Sequence, residues 1–262
     1  TLVQADKRAV AEVRIVDEAV TVVVSAKGWV RALKGHEVDA ATLAFKAGDA
    51  LYGCFACRSV DPLLVFGSAS GGAVRVYSVA VSALPGGRGD GQPITSLIDL
   101  EPGTQPAHYF AGAPETRLLL ANSGGYGLLA KVADMVARNR SGKSFLSVDD
   151  GQQLLPPTLV AAGHEQVACL AASARLLVFG LDELKHQPGG GRGLTLMDVD
   201  AQDPLLSVAS FGEQLLLSGL GRASKAKDDT VRAAALAEHA GKRARKGRKV
   251  GGFVKLLRVA AV

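Results

Sequence analysis

The sequence predicts an all-β fold built as a radial array of about five repeats, the last of them divergent. Three observations predict it. Apolar runs begin at Val22, Leu63, Leu118, Val167 and Leu215, with spacings of 41, 55, 49 and 48 residues, the period of a propeller blade. Each run is followed by a small or glycine-bearing turn, a hairpin signal because such turns need the positive φ that glycine adopts at little cost. The 262 residues are 48% hydrophobic yet only 5% aromatic, which suits a core of Val, Leu and Ala packed in sheets. One such unit cannot bury its apolar face alone, so a single array of stacked copies fits better than two globular domains.

Residues 1–19 contain the charged Asp6-Lys7-Arg8 and no initiator methionine, and are expected to be the incoming linker of a longer chain. Repeats are then expected at about 20–62, 63–116, 117–166, 167–214 and 215–262. Their hairpin turns read Ser25-Ala26-Lys27-Gly28, Ser70-Gly71-Gly72, Ser123-Gly124-Gly125, Ala172-Ser173-Ala174 and Gly219-Leu220-Gly221. The strand leaving the turn carries a basic residue in each copy: Arg31, Arg75, Lys131, Arg175 and Lys225. A glycine loop follows 26, 26, 24 and 26 residues after the first apolar position, centred on Gly48, Gly89, Gly142 and Gly193. Each loop precedes an expected strand, at residues 50–55, 94–100, 144–148 and 194–199. The fifth repeat departs from the pattern. Residues 228–239 read as an alanine-rich helix, and the basic stretch 242–258, with Arg245-Lys246-Gly247-Arg248-Lys249, is either an added arm or a closing blade.

Charge is sorted along the repeat. The net charge of +5 divides into residues 222–262, with twelve lysines and arginines against three acids, and residues 1–221, with 18 against 22. Within residues 1–221, the windows from turn to glycine loop hold 13 of the 18 basic residues and 5 of the 22 acids. Radial closure would gather those windows on one rim, a candidate phosphate-binding surface. A single lysine at a loop end is ordinarily a solvated one; the sorting by position is what argues for an extended anion surface.

Several constellations fail. Ser141-Gly142-Lys143-Ser144 resembles the end of a phosphate loop, but Ala137 stands where the first glycine is needed and the preceding residues read as a short helix. Cys54-Phe55-Ala56-Cys57 lacks a second pair to complete four ligands and falls on an expected strand, where buried small hydrophobes are the reading. With Cys169 the three cysteines make no disulfide framework, which points to a reducing, cytoplasmic compartment. The five histidines are scattered over different repeat positions, and Asp149-Asp150, Asp182-Glu183 and Asp228-Asp229 are adjacent, hence on opposite faces of a strand. No residues argue for chemistry carried out by this chain. No apolar run approaches the ~18 residues of a membrane-spanning helix. Trp29 and Tyr126, each just past a turn, either cap a blade's core or stack on a base.

Several stretches resemble a known family. Gly28-Trp29-Val30-Arg31-Ala32-Leu33-Lys34-Gly35-His36, Phe45-Lys46-Ala47-Gly48-Asp49, and Gly124-Gly125-Tyr126-Gly127 with Ala137-Arg138-Asn139-Arg140-Ser141-Gly142-Lys143 resemble the C-terminal domain of the A subunit of bacterial DNA topoisomerase IV. The resemblance runs from about Val20, strongest in the first and third repeats and poor beyond Gly219. It implies a β-pinwheel, a propeller-like ring whose blades exchange strands and whose basic rim binds and bends duplex DNA. It implies DNA-binding roles for Arg31, Lys34, Lys46, Lys131, Arg138, Arg140 and Lys143; repeat equivalence adds Arg75, Arg88, Arg175 and Arg192. The A subunit of the related gyrase carries a Q-R-R-G-G-K-G box where this chain reads Leu43-Ala44-Phe45-Lys46-Ala47-Gly48-Asp49. That absence shifts the expectation from chiral wrapping by gyrase to topoisomerase IV, which decatenates and relaxes DNA.

By the same resemblance the chain is a non-catalytic accessory domain that presents the duplex to be passed. Its partners are duplex DNA and, in a heterotetramer, the B subunit of topoisomerase IV together with the N-terminal core of the A subunit. ATP and Mg²⁺ are expected only in the full enzyme, through the cleavage core and the B subunit, and the location is cytoplasmic and nucleoid-associated. A gyrase-like wrapping domain, or a protein-interaction propeller with a basic rim, is the alternative.

Overall fold

The computed structural model describes residues 16–68, 72–87 and 89–262. The linker expected over residues 1–19 lies, for 1–15, outside the described residues, as do Ser70 and Gly71 of the second turn. The first repeat forms β1 (Ala19–Ser25), β2 (Trp29–Lys34) and β3 (Leu51–Arg58). The second adds β4 (Pro62–Gly67), β5 (Gly72–Ala80), the short β6 (Gln92–Pro93) and β7 (Pro106–Ala111). The third gives β8 (Arg117–Ala121), β9 (Tyr126–Lys131), a single helical turn α1 (Val132–Met135), β10 (Lys143–Val148) and β11 (Thr158–Val160). The fourth gives β12 (Gln166–Ala171), β13 (Arg175–Gly180), β14 (Leu194–Thr195) and β15 (Leu205–Phe211). The fifth gives β16 (Gln214–Leu220), β17 (Ala226–Arg232), β18 (Arg248–Lys249) and β19 (Lys255–Ala261).

These strands make five small antiparallel sheets around a ring. Their orders are β3-β1-β2-β6, β10-β5-β4-β7, β11-β8-β9-β14, β15-β12-β13-β18 and β17-β16-β19. In the first four, one edge strand comes from the following repeat, so each blade is completed by its neighbour. This is the strand-exchanged β-pinwheel. Among the described residues, the fifth blade has three strands, and the first repeat has no short strand to give it.

The apolar runs have no period-2 alternation because both faces of the inner blades are covered. In β4, Leu63 and Val65 join a cluster with Val22, Val24 and Val30 of the first blade. Leu64 and Phe66 join Leu118 and Leu120 of the third. In β8 and β12 the same division sends Leu119 with Val167 to one side and Ala168 with Leu170 to the other, against Leu215 and Leu217. Each of the four clusters joins two consecutive blades; none among the described residues joins the fifth to the first. Accordingly β16 alternates between buried and half-buried residues along its whole length, as a strand covered on one face should.

Four expectations need correction. Residues 228–239 are not a helix: β17 pairs with β16 over seven residues, and only Ala233–His239 curls, as 3-10 turns. Completing the fifth hairpin outweighs the alanine content, since propensity is a weak preference that tertiary pairing overrides. The fifth turn also lies beyond Gly219-Leu220-Gly221: Gly219 and Leu220 are in β16, and the chain reverses through Arg222–Ser224. Residues 94–100 form no strand either. Only Gln92 and Pro93 pair with β2, and Ile94–Ser96 turns away. The expected strand 194–199 likewise shortens to Leu194–Thr195.

Candidate nucleic-acid interface

The exchange is gated by glycine. Gly91, Gly142, Gly193 and Gly247 each have positive φ, at +85°, +62°, +82° and +70°. A Cβ on any of them would sit within 2.6 Å of a carbonyl oxygen of the neighbouring blade, on Val30, Val76, Gly127 and Leu176 respectively. Only glycine fits a loop that must turn left-handed and lie directly on another backbone. Two residues later comes a pair with the receiving strand: Pro93 with Trp29, Ser144 with Arg75, Thr195 with Tyr126, Lys249 with Arg175. Trp29, Arg75, Tyr126 and Arg175 are therefore equivalent positions, and register places Lys227 with them in the fifth blade.

This superposition corrects the loop equivalences read from spacing. The second gate is Gly91, two residues beyond Gly89. Gly48 is not a gate: it lies beside Asp49, whose carboxylate accepts from the Ser25 hydroxyl and the Lys27 backbone N–H, and β3 begins just after. Asp203 does the same before β15, accepting from Ser173 and Arg175. The first repeat's loop therefore returns to its own blade.

At every hairpin end a cation meets a loop, by one of two means. In blades one and three the position is aromatic with a cation on its face: Lys46 Nζ lies 3.3 Å from the Trp29 ring centroid, and the Arg192 guanidinium 4.0 Å from that of Tyr126. In blades two, four and five the position is itself the cation. Arg75 donates to the carbonyls of Ser141 and Gly142, both at 3.0 Å. Arg175 donates to the Lys246 carbonyl and to Asp203, and Lys227 to the Gly252 carbonyl at 2.6 Å. Trp29 and Tyr126 are thus half-buried platforms for cations.

The cations expected at a DNA surface divide by what they already hold. Arg31 is buried, 8% exposed, donating to the Gly89 and Ala44 carbonyls with its guanidinium over Phe45. Arg75 and Arg175 clasp incoming loops as above. Lys131 pairs with Glu115 at 2.6 Å, Arg192 with Asp149 at 2.6 Å, and Arg140 with the Ser96 carbonyl at 2.8 Å and Asp99 at 3.4 Å. Lys34 is exposed with Glu18 at 4.0 Å. Arg138 is exposed with no ion pair among the described residues, and half-buried Lys143 reaches only the Phe145 ring at 6.0 Å. Arg88 lies outside the described residues. Lys46, Arg140 and Arg192 sit on loops, Lys143 opens β10 opposite Val76 beside Arg75, and Arg138 follows Ala137, which meets Ser78 three residues along β5 from Arg75. Lys34 and Lys131 lie five residues along their strands from Trp29 and Tyr126, roughly 17 Å away at strand rise.

Residues 242–249 carry six lysines and arginines. They are the loop docked on the fourth blade, through Gly247. The signal was present in the glycine positions 91, 142, 193 and 247, more regular than the apolar runs. Ser141-Gly142-Lys143-Ser144 is likewise a gate leading into β10, with its glycine turned onto the Val76 carbonyl.

Carboxylates at two hairpin ends are tuned by this architecture. Burial would raise Asp203, but the Ser173 hydroxyl and N–H and the Arg175 guanidinium outweigh it and hold it below the usual carboxylate value. Asp49 shifts the same way, burial opposed by Ser25, Ala50 and Lys27. No helix among the described residues is long and apolar enough to cross a membrane.

No protein-family profile matches the chain. The A subunit of DNA topoisomerase 4 from Neisseria gonorrhoeae is 36% identical over 257 residues, covering 94% of this chain and 32% of that protein. The protein of the same name from Pseudomonas aeruginosa is 32% identical over 257 residues, covering 94% and 33%. The chain thus spans about a third of the length of these curated relatives. Among solved structures, the C-terminal domain of E. coli ParC superposes with a TM-score of 0.78 at 28% identity, covering 92% of this chain and 98% of that one. The DNA gyrase A C-terminal domain, at 17% identity and a TM-score of 0.65 over 94% and 83%, shares the fold.

Proposed function

Because this chain belongs with the C-terminal domains of the topoisomerase IV A-subunit family, sharing their sequence over almost its whole length and their fold, we propose that it is a DNA-binding, DNA-bending accessory domain. On this reading it holds a duplex segment along the hairpin ends and presents it to a cleavage core for strand passage. Decatenation and relaxation then belong to the full enzyme, with ATP and Mg²⁺ entering through its core and B subunit. The observation that carries the reading is the recurrence of lysine and arginine on the segments that lead to the hairpin ends of successive blades: Lys46, then Arg138, Arg140 and Lys143, then Arg192, then residues 242–249.

Mechanistically, such cations neutralise phosphates and release counterions, an interaction indifferent to sequence. A ring of short blades spreads the contacts along an arc, so that a duplex following them bends. Bending a site of ~20–30 base pairs costs a few kcal/mol, which several phosphate contacts can offset. The gates matter here because they fix each loop's backbone before DNA arrives, so little ordering entropy is lost on binding.

The test is the affinity of the chain for a duplex of about 40 base pairs and arbitrary sequence, measured across a salt series. A variant with Lys46, Arg138, Arg140, Lys143 and Arg192 changed to Ala is measured beside it. The reading expects a steep log–log slope that falls in the variant, by about 0.9 for each phosphate no longer neutralised. A chain that stays unbound at low salt would sink it and favour an acidic protein partner for the rim.

A further inference from the structure

We propose that the loop at residues 242–249, docked on the fourth blade, is the principal phosphate anchor of the duplex. The inference rests on the DNA-binding reading and names where on that surface DNA is held hardest.

Three observations carry it. The first is density: Lys242, Arg243, Arg245, Lys246, Arg248 and Lys249 fall within eight residues. The loops docked on the second and third blades present Arg138, Arg140 and Lys143, and Lys185 and Arg192, respectively. The second is freedom from neutralising acids. Arg140 shares Asp99 and Arg192 shares Asp149, whereas among the described residues no side chain of the 242–249 loop lies within ion-pair distance of a carboxylate. Glu183 reaches only the backbone N–H of Arg243, at 2.9 Å, and the Arg243 side chain donates to the Thr195 carbonyl at 2.6 Å. Arg245, Lys246, Arg248 and Lys249 are all exposed. A cation without a partner has no ion pair to break on meeting a phosphate, while a paired one must first lose its carboxylate.

The third is preorganisation. Gly247 rests on the Leu176 carbonyl, and Arg248 and Lys249 pair with Leu176 and Arg175. Backbone bonds from Gly241 to Val178 and from Ala244 to Leu196, both 2.9 Å, fix one side. Those from Asp198 to Arg245, at 3.1 Å, and from Val250 to Ala174, at 2.9 Å, fix the other. The exposed charges are therefore carried on a backbone that is already ordered. The exposed cations are spread along one ordered loop, and the ligand such a spread fits is a run of backbone phosphates.

The experiment compares two four-residue variants of the chain on the same ~40-base-pair duplex across a salt series. One carries Arg245→Ala, Lys246→Ala, Arg248→Ala and Lys249→Ala; the other carries Lys46→Ala, Arg138→Ala, Arg140→Ala and Lys143→Ala. The first is expected to lower the log–log slope by about 3, the second by about 2 or less, with an affinity loss at least about tenfold greater for the first. The first should keep the unfolding midpoint, because its loop is held through its backbone. A chain carrying only Arg245→Lys and Arg248→Lys should keep most of the slope. Equal losses, or a larger loss in the second variant, would overturn the anchor while leaving the DNA reading in place. Failure of the unchanged chain to bind would overturn both.

Discussion

In the first repeat the stretch between the second and third strands, residues 35–50, turns back over its own blade; in the fifth the corresponding stretch crosses to the fourth blade and pairs there with β13. The two stretches differ in charge as well as in path: residues 35–50 carry one lysine and no arginine, while residues 242–249 carry six basic residues. The short one covers the outer face of the first blade. Buried Arg31 reaches the Ala44 carbonyl, and Lys46 lies on Trp29. The long one lies on a neighbour's backbone and leaves its cations outward. The path of each loop sets where its charge is held: the short one lies against its own blade, and the long one carries its six cations across to a neighbour.

The sharpest way to break this comparison is to put a methyl group on one glycine from each kind of loop. Gly193→Ala would push a Cβ into the Gly127 carbonyl at a φ of +82°. It should cost roughly 3 kcal/mol or more, the left-handed penalty and the overlap together. Gly48→Ala meets nothing closer than the Lys27 amine at 3.5 Å, so only the left-handed backbone, at +73°, opposes it. About 1 kcal/mol is expected. Urea unfolding of the two variants measures both, and equal costs would mean that the docked glycines are not gates.

A smaller contrast separates two arginines that the sequence placed in one group. Arg31→Ala leaves the Ala44 and Gly89 carbonyls without their donor and opens a gap beside Phe45. A stability loss of about 1–3 kcal/mol is expected. Arg138→Ala, on an exposed side chain, should leave stability within ~0.5 kcal/mol and lower the salt slope of DNA binding by about 0.9. If Arg138→Ala destabilised the fold and Arg31→Ala changed only the slope, the assignment of scaffold and surface would be reversed.

The legible part of this molecule was what repeats. Apolar runs such as Leu118-Leu119-Leu120 announced strands, and their lack of alternation reflected blades covered on both faces. The turns after them announced hairpins. What could not be read was which glycine crosses to a neighbour. Gly48 and Gly91 both stand beside an aspartate, and only the length of chain between a repeat's second strand and its closing strand distinguishes a loop that can reach the preceding blade from one that cannot. The strand β17 was hidden behind alanines and charges because it lies exposed at a sheet edge, where burial leaves no pattern. Among the site residues, basic type and position marked the hairpin ends. Whether Arg31, Arg75 and Arg175 face solvent or clasp a carbonyl depends on contacts with chain 13 to 71 residues away, which a linear pattern does not display.

The smallest expected effect concerns the two carboxylates that brace the hairpins of the first and fourth blades. Asp203 lies below the usual carboxylate value because its bonds from Ser173 and Arg175 outweigh its burial, so the folded chain holds it charged more firmly than the unfolded chain does. The unfolded chain therefore binds more protons as pH drops. The stabilisation is present above the unfolded carboxylate value of about 3.9 and is lost as pH falls through the lower folded value. Asp203→Asn should therefore cost on the order of 1 kcal/mol at neutral pH, with the difference from the unchanged chain closing below about pH 4. Asp49→Asn should follow the same pH course with a smaller amplitude, since Asp49 is braced by Ser25 and two backbone N–H groups, without the guanidinium that Asp203 has in Arg175. Thermal unfolding of the three chains between pH 3 and 7 checks this. A pH-independent difference for Asp203→Asn would mean that its carboxylate serves by shape alone. An Asp49 effect as large as that of Asp203 would remove the guanidinium from the account.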